Sequence, residues 1–221
     1  MFSGLSWEQL VAAGDRLGVP QHCTAGEIIF HETDPGDAMY VILSGLVKVS
    51  RTTEDGRQKV LALLAEGDFF GEMALVDGGP RSAEAAAMED TVLVSIRRKD
   101  FQEWITANPT VAWGVIQGLS RRLRAANDQL MEATFLAAQE RVVQTLRRLA
   151  GSHGEPLPGG GGRRLERPFT QEELAQLAGT ARETVSRVLG RLQDMGLVRW
   201  EGRRLIWLGQ TEEDPTEPRK V

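Results

Sequence analysis

The segment 68–87 contains the side chains whose types and spacing best suit a ligand that carries both an anion and hydroxyl groups. Gly71 lets the backbone approach a ligand closely, and the free N–H groups of a helical turn after it can face an anion. Arg81 offers a planar guanidinium to a phosphate, and Ser82 adds a hydroxyl donor. Glu72 can accept a hydrogen bond from a ribose hydroxyl. The alternative interpretation is a glycine-rich loop with a solvated arginine.

A second group of candidate residues lies between positions 170 and 189, where two short helices are predicted. Thr170 is placed to cap the first helix, and Glu173 follows at the spacing of a capping box. Gly179 ends this helix, and Thr180 is predicted to cap the next one. Two short helices joined by a glycine-containing turn are typical of a helix-turn-helix.

The second of these helices separates its polar side chains from its apolar ones. The predicted small core combines apolar residues of both helices: Ala175, Leu177, Val185, Val188 and Leu189. The outward face then carries Arg182, Glu183, Ser186 and Arg187, near the helix start, where a recognition helix meets base edges. An arginine can pair with O6 and N7 of guanine, and a glutamate can accept from the amino group of cytosine. A lookalike in a protein that does not bind DNA is the alternative.

The charge distribution supports a nucleic-acid partner for one part of the chain only. Residues 137–208 contain 12 Arg and 8 acidic residues, whereas residues 1–136 contain 12 basic and 19 acidic residues. The net charge of the whole chain, -5, conceals this difference. A basic C-terminal third beside an acidic body indicates a polyanion partner for the basic part.

Several classes of protein are disfavoured by composition. No apolar run approaches the ~18 residues of a membrane span, and the first residues do not follow the pattern of a signal peptide. Cys23 is the single cysteine, so we expect neither disulfides nor an iron–sulfur cluster. His22, His31 and His153 are scattered, so we expect no haem and no metal site. No catalytic constellation is visible, and we expect a cytoplasmic protein that is not an enzyme and has no membrane partner.

The first hundred residues alternate short apolar runs with glycine turns, after a short amphipathic helix predicted over 5–18. The predicted strands are 27–30, 38–43, 46–50, 59–64 and 91–96. Many short strands at such spacing indicate an antiparallel sandwich or barrel, which can enclose a small ligand. Asp55 and Gly56 form a hairpin signal between two of them. Glycine-rich residues 151–164 are predicted to be a flexible loop without chemistry.

Residues 109–136 are predicted to form one long helix. Asn108 is a good N-cap, and Pro109 suits the first helical position. Apolar residues then recur at spacings of three and four: Ala112, Val115, Ile116, Leu119, Leu123, Ala126, Leu130 and Ala133. Such a helix would be about 42 Å long. Its stripe fits either a dimer seam or a central core helix, and the pattern by itself leaves both open.

Two motifs resemble those of a known family. Gly-Glu-Met-Ala-Leu at 71–75, followed by Pro-Arg-Ser-Ala at 80–83, resembles the phosphate-binding cassette of cyclic-nucleotide-binding domains. Arg-Glu-Thr-Val-Ser-Arg at 182–187 resembles the recognition motif of the cyclic-AMP receptor protein branch of the CRP/FNR transcription regulators. The resemblance extends over residues 17–208.

The resemblance implies an α+β fold with a cyclic-nucleotide-binding β-roll that holds the effector over 1–108, a dimerisation helix over 109–136 and a winged helix-turn-helix over 137–208. The sequence itself predicts the two strands of the wing, because the runs 197–200 and 203–208 flank Gly202. The tail, 209–221, is predicted to be disordered because it is rich in Thr, Glu and Pro. In the family the helix is both the lid of the ligand site and the dimer seam. The residues implied for the dimer interface are Ile116, Leu119, Leu123, Ala126 and Leu130.

The resemblance also implies a set of ligand contacts. Glu72, Arg81 and Ser82 match residues that bind the ribose 2′-hydroxyl and the cyclic phosphate. The matching pocket-wall and purine positions are Leu61, Ala62, Gly71, Met73, Arg122, Leu123 and Asn127. Ala126 lacks the hydroxyl that familiar cyclic-AMP responders have at this position. The amide of Asn127 can reach an adenine edge, or it can instead fix the register of a helix seam.

The implied function is a homodimeric transcription regulator that uses cyclic AMP as its effector and RNA polymerase as a partner. The resemblance predicts a palindromic double-stranded DNA site with TGTGA-like halves. Its implied DNA contacts are Thr170, Gln171, Arg182, Glu183, Ser186 and Arg187, the first two to phosphates. One alternative is a regulator active without a nucleotide, which Ala126 favours. The other is a cyclic-nucleotide module of an enzyme or channel, which the adjoining helix-turn-helix disfavours.

Overall fold

The computed structural model describes residues 18–209, and the chain divides into two units between Asp128 and Gln129. The helix predicted over residues 5–18 lies, except for Gly18, outside the described residues, as does the tail from residue 210. Within residues 18–209, no helix combines the length and apolar character that crossing a bilayer requires.

The first unit is built on two four-stranded antiparallel sheets. Its strands are β1 (Gln21–Cys23), β2 (Ile28–Phe30), β3 (Ala38–Ser44), β4 (Val47–Thr52), β5 (Gln58–Leu64), β6 (Phe69–Phe70), β7 (Glu84–Ala87) and β8 (Thr91–Arg97). The sheet orders are β1-β8-β3-β6 and β2-β7-β4-β5. The predicted antiparallel β architecture is confirmed. Strands β1, β6 and β7 were not predicted, because two to four residues are too few to display an alternating pattern.

Three of the described helices begin in this unit: α1 (Glu72–Asp77), α2 (Arg98–Ala107) and α3 (Pro109–Phe135), whose last residues belong to the second unit. The long helix is confirmed and ends one residue before its predicted end. Helix α2 was not predicted, since its buried apolar residues are only Phe101 and Trp104. The side-chain and backbone amides of Asn108 both donate to the carbonyl of Trp104. Asn108, predicted as the N-cap of the long helix, is therefore the C-cap of α2.

The apolar residues of α3 divide between two faces. Val111 and Val115 are buried in a core cluster that also contains Met39 and Trp104. In contrast, the stripe that includes Leu123 is exposed on the described chain, with 63% of the Leu123 surface accessible. The predicted stripe therefore combined one core residue, Val115, with residues that are half-buried or exposed on the described chain.

The second unit contains α4 (Ala138–His153), α5 (Gln171–Ala178) and α6 (Arg182–Asp194), together with one sheet. Its strands are β9 (Gly154–Pro156), β10 (Arg163–Leu165), β11 (Val198–Glu201) and β12 (Arg204–Trp207). The order β11-β12-β10-β9 joins the predicted wing hairpin to a second hairpin. Helices α5 and α6 form the predicted helix-turn-helix, with Leu174 and Ala178 buried and Leu177 only half-buried.

Two local predictions in the second unit are wrong. Residues 151–164 are not a flexible loop: they contribute the end of α4 and the hairpin β9–β10, because β10 pairs with wing strand β12. Arg164 adds ion pairs to Glu155 at 2.9 Å and to Glu201 at 3.1 Å. Thr180 does not cap α6. Its amide donates to Ala175, so it still belongs to the turn, and Ala181 occupies the N-cap.

The turns of the first unit include one strained residue. The predicted hairpin at Asp55–Gly56 is confirmed, with Gly56 at a φ of 79° and its amide bonded to Thr53. Thr33 has a φ of 73°, which a β-branched residue rarely adopts. Its amide donates to the carbonyl of Arg81 at 2.9 Å, so the unusual conformation lies in the loop that contacts the cassette.

We predict that Thr33→Gly raises the free energy of unfolding by about 0.5–1 kcal/mol. Glycine removes the left-handed strain, and this gain exceeds the additional backbone entropy that glycine loses on folding. Urea denaturation of wild type and variant measures this difference. Thr52→Gly, at an exposed strand position, is the matched control and should lower stability. A loss of stability in both variants would contradict the assignment of strain to Thr33.

Candidate functional site

Arg81 is the most deeply buried charged group of the predicted ligand site, with 5% of its surface accessible. Its Nη1 donates to the carbonyl of Gly71 and its Nη2 to the carbonyl of Ala38, both at 2.8 Å. We call these two bonds the carbonyl clamp. A Cβ at position 71 would lie 2.6 Å from Nη1, and one at Gly36 would lie 2.9 Å from Nε, so both glycines make room for the guanidinium.

The electrostatics of Arg81 are those of a cation without a direct counter-charge. Within the described residues it forms no ion pair, and its Nε is buried without a hydrogen-bond partner. Burial lowers the pKa of Arg81, while the nearby Tyr40 and the acidic groups Asp37, Asp34 and Glu72 raise it. An uncompensated guanidinium in this position can bind an anion and supply further N–H donors to it.

Glu72, the second buried charge, begins helix α1 and is 6% accessible. Its Oε1 accepts a hydrogen bond from Nη1 of Arg122 at 3.1 Å. The guanidinium of Arg122 also donates to the carbonyl of Phe69 and lies 4.5 Å from the centre of its ring. The cassette and helix α3 are therefore joined by an ion pair, which the sequence alone did not reveal.

The remaining predicted ligand residues are distributed over several elements. Ser82 is exposed and its hydroxyl lies 3.4 Å from the sulfur of Met73, which is half exposed. Leu61 and Ala62 belong to β5, and Leu123 and Asn127 are exposed on α3. The structure thus brings Gly71, Glu72, Arg81 and Arg122 into one cluster of contacts. Among the described hydrogen bonds and ion pairs of residues 18–209, those of this cluster do not include Ala62, Leu123 or Asn127.

A cavity of about 630 Å³ lies beside the cassette but does not coincide with the predicted ligand residues. Its lining residues are Thr33, Pro35, Gly36, Asp37, Gly78, Gly79 and Pro80. Asp37 is the only charged side chain among them, so this cavity does not favour an anion. The chemistry of the site resides instead at Arg81 and Glu72. Within residues 18–209 no cluster of His, Cys, Asp or Glu has the composition of a metal site.

The residues around Arg81 that sequence analysis missed are aromatic. The ring of Phe30 lies 4.3 Å from the guanidinium carbon, and Tyr40 and Phe70 stack beside it. These residues belong to three strands, β2, β3 and β6, that are far apart in the chain. No local motif could have identified them, because only the pairing of the strands brings their rings together.

On the second unit, α6 exposes the predicted base-reading residues Arg182, Glu183, Ser186 and Arg187. The opposite face of the same helix is buried through Val185, Val188, Leu189 and Leu192. The start of this helix is therefore open to a partner on the polar side. The exposed arginines of the wing, Arg199, Arg203 and Arg204, add positive charge that sequence analysis did not single out.

Thr170 is engaged in the predicted capping box at the start of α5. Its hydroxyl accepts from the amide of Glu173 at 3.1 Å, and its own amide donates to Oε2 of Glu173 at 2.7 Å. Oε1 of Glu173 pairs with Arg167 at 2.5 Å. The hydroxyl of Thr170 is thus committed to the cap, whereas Gln171, the first residue of α5, is half exposed.

Comparisons with known proteins match both units. The family described as Cyclic nucleotide-binding domain matches residues 20–108, and the Crp-like helix-turn-helix domain matches residues 140–212. The CRP-like cAMP-activated global transcriptional regulator of Mycobacterium tuberculosis is 34% identical over 93% of this chain and 91% of its own. The cyclic AMP receptor protein of Thermus thermophilus is 42% identical over 90% of this chain and 88% of its own.

Solved structures of transcription regulators are also similar to this chain. The c-di-GMP responsive global regulator CLP of Xanthomonas campestris has a TM-score of 0.77 and is 26% identical, covering 92% of this chain and 98% of that chain. The catabolite activator protein of Thermus thermophilus has a TM-score of 0.53 and is 38% identical, and the match covers 92% of this chain and 91% of that chain. With both parts matched and relatives similar over nearly their whole length, the chain belongs to the cyclic-AMP receptor protein branch of the CRP/FNR family, as a DNA-binding transcription regulator with a cyclic-nucleotide-binding domain.

Proposed function

We propose that this regulator is a homodimer that binds a palindromic DNA site under the control of cyclic AMP. The observation that carries the ligand part is the buried guanidinium of Arg81, which has no carboxylate partner among the described residues. A buried charge is strongly unfavourable unless it is paired and hydrogen-bonded. A singly charged cyclic phosphate supplies the missing counter-charge, and its oxygens are acceptors for the N–H groups outside the carbonyl clamp.

Glu72 is the proposed partner of the ribose. Its carboxylate is buried and already held by Arg122, so it is fixed in place before a hydroxyl approaches. A ribose 2′-hydroxyl can donate to this carboxylate. Because Arg122 belongs to α3, any change at Glu72 acts on the long helix through one ion pair. We propose this pair as the first step from ligand to helix, with Gly71, Met73, Leu61 and Ala62 as pocket wall and Ser82 as a phosphate donor.

The choice of cyclic AMP rests on similarity and on one side chain. Relatives named for cyclic AMP are 34% and 42% identical to this chain, whereas the relative named for c-di-GMP is 26% identical. Asn127 carries an amide that both donates and accepts, as an adenine edge requires. It lies on the exposed stripe of α3 with Leu123, so we propose that both contact the purine together with Arg122.

The homodimer is supported by the uncovered stripe of α3. Its exposed apolar residues are Ile116, Leu119, Leu123 and Leu130, with Trp113 and Met131 beside them. At about 100° per residue these side chains occupy one side of the helix. A contiguous apolar face on a soluble regulator requires a partner surface. We propose that a second copy of α3 supplies it and that Ala126 also lies in this seam.

The DNA-binding part follows from the geometry of α5 and α6. We propose that Arg182, Glu183 and Arg187 read base edges, with Ser186 beside them, and that Gln171 contacts a phosphate. Thr170 fits this role less directly, because its hydroxyl and amide serve the capping box; we propose that it orients the start of α5. In this scheme residues 1–108 bind the effector, 109–136 dimerise and 137–208 bind DNA. RNA polymerase as a partner and the cytoplasm as location complete the proposal.

Arg81→Ala should weaken cyclic AMP binding at least about tenfold, because it leaves a phosphate charge without its buried partner. Calorimetric titration of cyclic AMP into wild type and variant measures the change, and cyclic GMP tests the choice of base. Arg57→Ala, in the exposed hairpin turn, is the matched control and should bind as wild type does. Equal affinity of Arg81→Ala and wild type would remove Arg81 from the site.

The double variant Ile116→Asp with Leu119→Asp should sediment as a monomer, because two carboxylates would lie unpaired in an apolar interface. Sedimentation velocity measures the oligomeric state. Gln117→Asp with Ala125→Asp adds the same charge at exposed positions off the stripe and should remain a dimer. A stripe variant that still dimerises would mean that α3 is not the seam.

Arg187→Ala should reduce the binding free energy for the preferred DNA site by about 1–3 kcal/mol. The variant should also lose its discrimination between bases at one base pair. Gln171→Ala should weaken binding to all DNA sequences equally, because a phosphate contact does not distinguish between bases. Binding selection from random duplexes, at one fixed salt concentration, compares both variants with wild type. A wild-type selection without TGTGA-like half-sites, or an unchanged base preference in Arg187→Ala, would refute this assignment.

A further inference from the structure

The guanidinium of Arg81 lies over the rings of Phe30 and Tyr40. These two rings and that of Phe70, which contacts both, form what we call the aromatic platform. The central carbon of the guanidinium is 4.3 Å from the centre of the Phe30 ring and 5.8 Å from that of Tyr40. The rings also contact one another: Tyr40 and Phe70 are stacked at 5.3 Å, and Phe30 lies 5.8 Å from Phe70. The cation is therefore covered on one face by aromatic carbon.

Backbone pairing holds the platform in place. Tyr40 on β3 lies directly opposite Phe70 on β6, and Phe30 ends strand β2. Phe70 is 2% accessible and belongs to a core cluster with Ile42 and Leu93, against which Phe30 and Tyr40 also pack. Rings anchored in this way have little freedom to follow a moving side chain, so the platform acts as a fixed surface.

The platform and the carbonyl clamp restrain different movements of the guanidinium. The clamp fixes Nη1 and Nη2 within the plane of the group, through the carbonyls of Gly71 and Ala38. The ring of Phe30 opposes tilting out of that plane. Together they leave one orientation, in which Nε remains buried without an acceptor. An arginine that is already ordered loses less side-chain entropy when a ligand binds.

We propose that Phe30, supported by Tyr40 and Phe70, is a positioning residue for phosphate recognition by Arg81. This inference rests on the proposed cyclic-nucleotide function. The guanidinium loses its water on burial, and the electron-rich face of a ring replaces part of that hydration. A leucine of similar bulk would fill the space but would offer no such face. The platform thus maintains a charged Arg81 in the core, oriented toward the phosphate.

Calorimetric titration of cyclic AMP into the full chain and its variants tests the proposal. Phe30→Leu should weaken binding about fivefold, because it removes the ring but keeps apolar bulk. Phe30→Tyr retains the ring and should restore affinity. In the Arg81→Gln background, Phe30→Leu should have no further effect, since the group that it positions is gone. Phe101→Leu, in the other core cluster of the unit, is the control for a simple core change.

A second measurement needs no nucleotide. In ¹⁵N-labelled protein, the Nε–H resonance of Arg81 is identified by its loss in Arg81→Gln. This proton should exchange slowly with water in wild type and Phe30→Tyr, because Nε is buried, and faster in Phe30→Leu. If wild type does not bind cyclic AMP, the proposed ligand is wrong, and the exchange measurement alone decides whether the platform orders Arg81.

The proposal is overturned by any of three results. One is unchanged exchange of the Arg81 proton in Phe30→Leu. The other two apply to a wild type that binds cyclic AMP: an affinity of Phe30→Leu within about twofold of wild type, or an equal loss of affinity from Phe30→Leu with and without Arg81. An equal loss in both backgrounds would identify Phe30 as a core residue with no specific effect on the guanidinium.

Discussion

A charged guanidinium in the interior of the first unit is the constraint around which its ligand region is organised. Arg81 reaches its position only because three separated segments converge: the loop after β2, the first residue of β3 and the start of the cassette. Ala38 and Gly71 supply backbone carbonyls to the guanidinium, and the loop after β2 bonds the main chain of Arg81. Two glycines provide the space. Neutral carbonyls accept hydrogen bonds from Nη1 and Nη2 but do not compensate the charge of the cation. This distinguishes the arrangement from an ordinary buried ion pair.

The long helix presents two different sides within the described residues. One side, through Val111 and Val115, is part of the core of the first unit, and Arg122 binds the cassette at Glu72. The adjacent side presents the stripe that the chain leaves exposed. One helix therefore has both a contact with the ligand region and the proposed seam. A helix that is covered all round by its own domain could not combine these two contacts.

How well the sequence predicted each element depended on the range of the interactions that determine it. The bounds of α3 were predicted to within one residue, and the Thr170–Glu173 cap was predicted correctly, because both depend on local spacing. The strands β1 and β6 and the hairpin β9–β10 depend on partners distant in sequence and were missed or misassigned. Likewise, the cassette was recognisable as a motif, whereas Phe30 was not, since its role arises only when β2 and the cassette meet.

The glycines at the tip of the β9–β10 hairpin have a practical consequence. Gly159, Gly160 and Gly161 have positive φ angles, and a Cβ on any of them would meet no atom within 4 Å. Below the tip, β10 is held by its pairing with β12 and by the two ion pairs of Arg164. Exposed tips above a well-paired base tolerate added residues. A fluorophore or affinity tag inserted at Gly160 would therefore report on the second unit without disturbing the recognition helix.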